Sequence, residues 1–364
     1  MPRLSSLRKN RWILILSIGL MALILWWALR AKGYTQEPYV KERVLLGTYV
    51  SIKAYGKDQG RVERAVNEAM SEMEKVHRLM NFFDPSSEIS KINQNAGKKG
   101  VRVSSEVTAV VSLSKAYGQK TAGAFDITVG PLTQLWNFEK KPHIPTKVEL
   151  DEKLPLLDLK SISIDRKNNL VKLEKPGMRL DLGGVAKGYA TDKAIEALKR
   201  HGISQALVTT GSTTRVIGSK PRSKPWRIGI QHPRSKKGEE EIIGILKFRD
   251  DKSVSTSGDY QRYFVKKGRR YHHILDPKTG MPIEGLMSVT VVTSRSCTEA
   301  DILSTAIFVM GYPKGMNFIE QTKDLEGVII TSDGKACVSS GLKGKIENLI
   351  RVIQDSFLNF QPMS

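Results

Sequence analysis

Tight turns between successive strand-like segments constrain this chain more than any other feature. From about Ser161 it runs SISID, a turn at RKNN, NLVKLE and MRLDL; later come WRIGIQ, IIGILKFRD, KSVSTSG, YFVKKGRRYHHIL with a Lys-Gly turn, SVTVVTS, GVIITS and ACVSS. Connections this short reverse the chain, whereas parallel neighbours need a crossover of roughly a dozen residues or more. The pattern therefore predicts an α+β fold, largely antiparallel sheets packed with helices. Upstream, RVLLGTYVSIKAYG alternates like a strand. RVERAVNEAMSEMEKVHRLMNFF places Val62, Ala65, Ala69, Met73, Val76 and Met80 at helical spacing until DPSS ends it. A second helix is expected over SSEVTAVVSLSKAYGQKT with Ser104 or Ser105 as its cap. LDLGGVAKGYATDKAIEALKRHGISQALVTTG reads as strand, glycine turn, helix closed at His201-Gly202, and strand, and another helix lies at DILSTAIFVMGY. A chain of 364 residues, 40% hydrophobic and 26% charged, can bury a substantial core in one or two domains.

The N-terminus is of another kind. Arg3, Arg8, Lys9 and Arg11 precede an uncharged run from Trp12 to Leu29, ~27 Å of helix against a bilayer core of ~30 Å. A cleaved signal peptide would need a small-x-small site after the run, and none follows; no cysteine there accepts lipid. The run is expected to be an uncleaved single-pass anchor in lipid, with Trp26 and Trp27 near the outer interface. Its basic flank stays in the cytoplasm, which puts the domain on the periplasmic or outer side of an inner membrane. The expected divisions are 1–11 basic cytoplasmic segment, 12–29 transmembrane helix, 30–40 linker, 41–352 catalytic domain and 353–364 tail.

The formal net charge is +21, of which the first 33 residues supply six with no acid. A basic body suits an anionic ligand or membrane surface, and the export signal argues against nucleic acid. Cys297 and Cys337 match no metal spacing, and count alone does not decide whether they pair.

Three segments carry candidate chemistry. In LDLGGVAKGYA, Asp181 precedes Gly183, Gly184 and Gly188 at the mouth of a helix, where backbone N–H groups favour phosphate and Lys187 adds charge; a plain strand-to-helix turn would use the same glycines. In YHHILDPKTGMP, His273 is a candidate general base, with surface or packing roles as the alternative, and strand alternation sends the His272 and His273 rings to opposite faces. In CTEADILSTAIF, Asp301, Ser304 and Thr305 share a helical face. That is a hard-oxygen set suited to Mg²⁺, unless Asp301 merely complements a helix N-terminus capped by Thr298. Phe82, Phe83 and Phe125 beside Asp126 would stack on a flat ring system or simply pack in the core. Together these pieces imply a phosphate-rich, ring-containing ligand held with a divalent cation.

In combination, GAFDITVGPLTQLW, DLGGVAKGYA, STSGDYQRYF, HHILDPKTGMP and EADILSTA resemble the ApbE-type FAD:protein FMN transferases, in that family's order and from about Arg43 to Ser340. The resemblance implies an ApbE/T-fold-like domain that takes FAD as substrate and transfers FMN to a threonine or serine hydroxyl of an acceptor protein, releasing AMP. Acceptors would be flavoprotein subunits of membrane electron-transfer complexes. By similarity Leu46, Phe83, Ala124, Phe125, Asp126, Asp181, Lys187 and Leu275 line the FAD site. Mg²⁺ is held by the carbonyl of Gly184 with the side chains of Asp301, Ser304 or Thr305, and His273 is the base. FAD pyrophosphatase and a non-catalytic flavin-binding protein are the alternatives. One departure stands out: where the family has a strand end like Asn-Ala-Gly-Gly-Asp, this chain has Thr209, Thr210, Gly211, Ser212 and Thr213. The Thr-Gly-Ser-Thr stretch is also similar to a flavin acceptor core, which raises self-modification as an expectation to be checked.

Overall fold

The computed structural model describes residues 37–235 and 241–349, together with the isolated residue Met21. The expected membrane span, its basic flank and the C-terminal tail lie outside the described residues, apart from Met21, and the linker falls within them only from residue 37. Among the described residues no helix is long and apolar enough to cross a membrane.

The antiparallel expectation holds throughout the main sheet. Its eight strands are β1 (Tyr39–Leu45), β2 (Thr48–Tyr55), β3 (Gln205–Thr210), β4 (Thr213–Ile217), β5 (Lys252–Gly258), β6 (Leu286–Thr293), β7 (Leu325–Thr331) and β8 (Ala336–Val338). They lie side by side in chain order, every neighbouring pair antiparallel. Period-two alternation then sorts their side chains. Val50, Ile52, Ala54, Ala206 and Val208 join a core with the helices, while Val216, Val254, Val292 and Val328 face a second core capped by the hairpin of Trp226–Gln231 and Ile242–Phe248. β6 is buried at every position, as befits a strand covered on both faces.

Three helices pack on the first face: α1 (Gln59–Met80), α2 (Ala186–Arg200) and α3 (Cys297–Met310). The buried stripe of α1 runs Val62, Ala65, Val66, Ala69, Met70, Met73, Val76 and Met80, and Asp58 caps it by accepting the Arg61 N–H. The helix expected after Ser104 spans Ser105–Lys120 with Ser104 as cap. Cys297 and Cys337 are buried and free.

Two local expectations need correction. The stretch after Arg43 is not one strand but the hairpin β1–β2, because Leu46 and Gly47 both take left-handed φ, 55° and 69°. MRLDL makes no strand at all. The Asn93 amide occupies the place of a strand partner, accepting the Leu180 N–H at 2.7 Å and donating to the Leu180 carbonyl at 3.0 Å, while the Asp181 N–H reaches the Ile127 carbonyl. Asn93 sits on the short helix Glu88–Gln94, capped by Ser87, which the sequence reading did not resolve. Asn93→Ala orphans two buried backbone groups and is expected to cost about 2–3 kcal/mol. Urea denaturation should show this as a lower midpoint at unchanged slope.

Candidate active site

The segment Leu180–Val185 enters α2 as a series of locally satisfied turns. Asp181 accepts the Gly183 N–H at 2.8 Å through Oδ1 and the Thr133 hydroxyl at 2.7 Å through Oδ2, so its carboxylate shapes the glycine turn. A Cβ on Gly184 would lie 3.1 Å from the Phe125 ring and 3.4 Å from Thr305 Oγ1, which makes Phe125, Gly184 and Thr305 mutual neighbours. Lys187, one turn on, donates to the Gly183 carbonyl at 2.9 Å and stands 3.4 Å from Asp301 Oδ1.

α2 and α3 meet at Gly188, where only a hydrogen fits. A Cβ there would come within 2.3 Å of the Cys297 carbonyl oxygen and 2.8 Å of Asp301 Cβ. This close approach lets the Gly188 N–H donate to Asp301 Oδ2 at 2.9 Å. The start of α3 is satisfied by other groups. Ser296 is the cap, and Asp192 on α2 accepts the N–H groups of Cys297 and Thr298 and the Thr298 hydroxyl. Asp301 therefore lies beyond the unsatisfied first turn, and neither a dipole role for it nor a Thr298 cap describes this helix.

Asp301 is 3% exposed, and the hydroxyls of Thr213 and Ser255 donate to its Oδ1 at 3.3 and 3.5 Å. Ser304 is fully buried and hydrogen-bonded to Ser257, Ser255 and the Asp301 carbonyl. Thr305 is half-buried, bonded to Ser257, and borders Gly184. Thr213 stands in the strand end that departs from the family pattern, whereas Ser255 and Ser257 were missed; their signal was the serines at 253, 255 and 257, which alternation puts on one buried face of β5. One carboxylate with several neutral oxygens and no sulfur or imidazole fits Mg²⁺, and leaves positions for phosphate oxygens. Among the described residues no three His, Cys, Asp or Glu side chains are grouped as metal ligands, so Asp301 would be the single acidic ligand of such a site.

His273 and His272 diverge as alternation requires. His272 is buried, donates from Nε2 to the Ile283 carbonyl at 2.7 Å, and meets the Phe308 ring edge-on. His273 is half-buried; its backbone N–H and its Nδ1 both point to the Arg262 carbonyl, at 3.1 and 3.3 Å, and among the described residues Nε2 has no hydrogen-bond partner. Arg262 in turn pairs with Glu139 at 2.7 Å and lies under Gly47, so the Leu46–Gly47 turn borders the same mouth. Removal from water, then the charges of Arg262, His272 and Lys187, holds the His273 ring down at about 3. Burial likewise lowers His272.

These shifts fix a sign for pH dependence. Below the ordinary value near 6.5 an unfolded chain takes up protons that the folded rings refuse, so stability is full above that pH and falls as pH drops from 6.5 toward the folded values. Thermal denaturation should show a lower midpoint at pH 5 than at pH 7.5, with a smaller difference in His272→Gln. An equal difference in that variant would refute the assignment.

The remaining candidates divide. Phe125 joins the Gly184–Thr305 corner, with Ala124 half-buried before it. Asp126 spends one oxygen on the Thr128 N–H and hydroxyl, capping the turn whose Ile127 carbonyl holds Asp181; burial pushes its carboxyl up. Leu275 packs with Leu132, Trp136 and Leu150. Phe83 is half exposed, its ring edge-on to Phe82 and its N–H donated to Asn81 Oδ1. Self-modification is not supported: Thr210 and Thr213 are fully buried, their hydroxyls bonded to Thr191 and Ser255. A separate cavity of about 280 Å³, lined by Leu207, Thr214, Arg227 and Val254 and by Thr209, Gly211 and Ser212 of the departing strand end, opens on the other face of the sheet and contains none of the FAD, metal or base candidates.

The ApbE family's sequence profile matches residues 46–329, which covers all five motifs. The chain belongs to the ApbE family. Among curated ApbE relatives, an FAD:protein FMN transferase of Vibrio cholerae is 34% identical over 277 residues, 74% of this chain and 81% of that protein. One of Escherichia coli K12 is 30% identical over 310 residues, 84% of this chain and 87% of that protein. The crystal structure of an ApbE protein from Thermotoga maritima superposes with a TM-score of 0.78 at 34% identity, covering 85% of this chain and 99% of that one. The flavin transferase ApbE from Vibrio cholerae superposes at 0.73 and 32% identity, with the same coverages. The ApbE architecture therefore extends across nearly all the described residues.

Proposed function

We propose that this chain is an FAD:protein FMN transferase, moving the FMN half of FAD to a threonine or serine hydroxyl of an acceptor protein and releasing AMP. The observation that carries this reading is the buried Asp301 carboxylate, set beside Lys187 at the glycine-rich entrance to α2. A carboxylate so enclosed, among neutral hydroxyls and one lysine, suits a site where a cation and a pyrophosphate arrive together. Bound Mg²⁺ would supply charge neutralisation of the pyrophosphate. Asp301, Thr305 and the Gly184 carbonyl would hold it, and Lys187 would take a phosphate oxygen.

His273 acts on the incoming hydroxyl. With Nδ1 committed to the Arg262 carbonyl, the Nε2 lone pair accepts the proton as the hydroxyl oxygen bonds to phosphorus and the bond to AMP breaks. A base kept neutral by its surroundings is ready over the whole neutral range. Phe125, at the Gly184 corner, offers a wall for a ring. The enzyme is further proposed to be anchored in lipid through 12–29, to work on the outer side of the inner membrane, and to modify flavoprotein subunits of membrane electron-transfer complexes.

The test mixes the full-length protein with FAD, Mg²⁺ and an acceptor bearing a Ser/Thr-Gly-Ala-Thr core. Fluorescent FMN-labelled acceptor and AMP should form in equal amounts. Free FMN as the sole flavin product would identify a pyrophosphatase instead, and FAD binding without AMP release a non-catalytic flavin protein.

A further inference from the structure

The Asp301 carboxylate meets three neutral donors and one cation. Oδ2 takes the Gly188 N–H, and Oδ1 takes the hydroxyls of Thr213 at 3.3 Å and Ser255 at 3.5 Å. The cation is Lys187, whose Nζ stands 3.4 Å from Oδ1. The remaining acids of α2 and α3 answer other groups. Asp192 holds the first turn of α3, Glu196 pairs with Lys193, and Glu299 meets the Tyr117 hydroxyl and Arg295. β4 and β5, which face these helices, contain no acid.

The enclosed cluster therefore holds one negative and one positive charge, and position 213 decides that count. Thr213 opens β4, is fully buried, and bonds Ser255 Oγ at 2.9 Å as well as Asp301. It closes the strand end that departs from the family pattern, at the place where that pattern has an aspartate. A carboxylate on the same backbone would lie against Asp301 and give the cluster a net negative charge.

We propose that Thr213, by withholding a second carboxylate, makes cation binding conditional on the pyrophosphate of the substrate, an inference that rests on the transferase reading above. A divalent cation entering alone adds two positive charges to a buried cluster whose own charges cancel, and uncompensated buried charge is costly. Entering with a pyrophosphate, it meets the negative charge that the protein lacks, and Lys187 exchanges Asp301 for a phosphate oxygen. Affinity for a hard cation follows the number of charged ligands, so a single carboxylate leaves the free protein a weak cation binder. The neutral hydroxyl also spares the α2–α3 contact the repulsion of two carboxylates sharing one site. Linkage makes the coupling reciprocal: the cation tightens the substrate by the factor by which the substrate tightens the cation.

The test titrates the full-length protein with Mg²⁺ by calorimetry, first without FAD and then with FAD at saturation, in the absence of acceptor; FMN transfer to an added acceptor is read separately. FAD should tighten Mg²⁺ at least about tenfold, and Mg²⁺ should tighten FAD, read by flavin fluorescence, by the same factor. Thr213→Asp should bind Mg²⁺ without FAD at least about tenfold more tightly than the wild type and lose most of the coupling. Thr213→Asn, of the same size as the aspartate but uncharged, should keep the wild-type pattern, as should Thr213→Ser. Where Thr213→Asp folds only with metal, its melting temperature should climb with Mg²⁺ far more steeply than that of Thr213→Asn, which reads the same gain. Equal Mg²⁺ affinity with and without FAD in the wild type overturns the proposal. So does a Thr213→Asp protein that Mg²⁺ neither binds better nor stabilises more than Thr213→Asn. Coupled binding without FMN transfer keeps this proposal and rejects the transferase reading; transfer with uncoupled binding does the reverse.

Discussion

Asp301→Ala is expected to lower the kcat/KM for AMP release by at least about 10³-fold, to the limit of detection. Its two oxygens do different things. Oδ2 receives the Gly188 N–H that joins α2 to α3, while Oδ1 faces Lys187 and the hydroxyls of Thr213 and Ser255. Asp301→Asn separates these roles, since an amide oxygen can still accept from Gly188 but carries no charge. The Asn variant should keep its melting temperature within a few degrees yet lose Mg²⁺ binding by calorimetry. The Ala variant should also lose about 2 kcal/mol of stability, having orphaned a buried N–H. Thr305→Ala should cost about tenfold, because water replaces a neutral oxygen more readily than a charge. An Asp301→Asn protein that transfers FMN at the normal rate would disprove the cation-site assignment.

The second large effect is at His273. His273→Ala should reduce kcat by about 10²–10⁴-fold, the usual range for losing a general base, with the KM for FAD little changed. Because the ring is held well below its ordinary value, the acid limb of the wild-type rate profile should fall below pH 6.5. His272→Gln offers the contrast: its ring is buried against Phe308 and the Ile283 carbonyl, so it should reduce stability more than kcat. A variant lacking His273 that retains full kcat across the pH range would show that the acceptor hydroxyl loses its proton elsewhere.

What could be read in advance divides by the range of the interactions involved. The turns joining strands after Ser161, the helix stripe of α1 and the convergence of Asp301, Ser304 and Thr305 depend on neighbours within a few residues, so periodicity and turn chemistry sufficed; the β1–β2 turn escaped because Leu46 precedes its glycine with a left-handed φ that leucine rarely takes. The five motifs named the family for a related reason, since each keeps its functional groups on one short element. The strand expected at Met178–Leu182 failed because a distant amide, Asn93, took the hydrogen bonds a neighbouring strand would have made. Nothing local to MRLDL signals that substitution.

The sequence by itself determined the antiparallel α+β class, the helix carrying Asp301 and the glycine entrance with Lys187. Only the tertiary structure decided which distant groups meet there. It brought Thr213 and Ser255 to the carboxylate, gave the cap of α3 to Ser296 and Asp192, committed His273 Nδ1 to the Arg262 carbonyl, and sealed Thr210 and Thr213 away from modification. The physical reason is one of scale: turns and helical phase are set by dihedral angles within a few residues. Which oxygen faces which proton across the α2–α3 contact depends instead on a gap at Gly188 too narrow for a single methyl group.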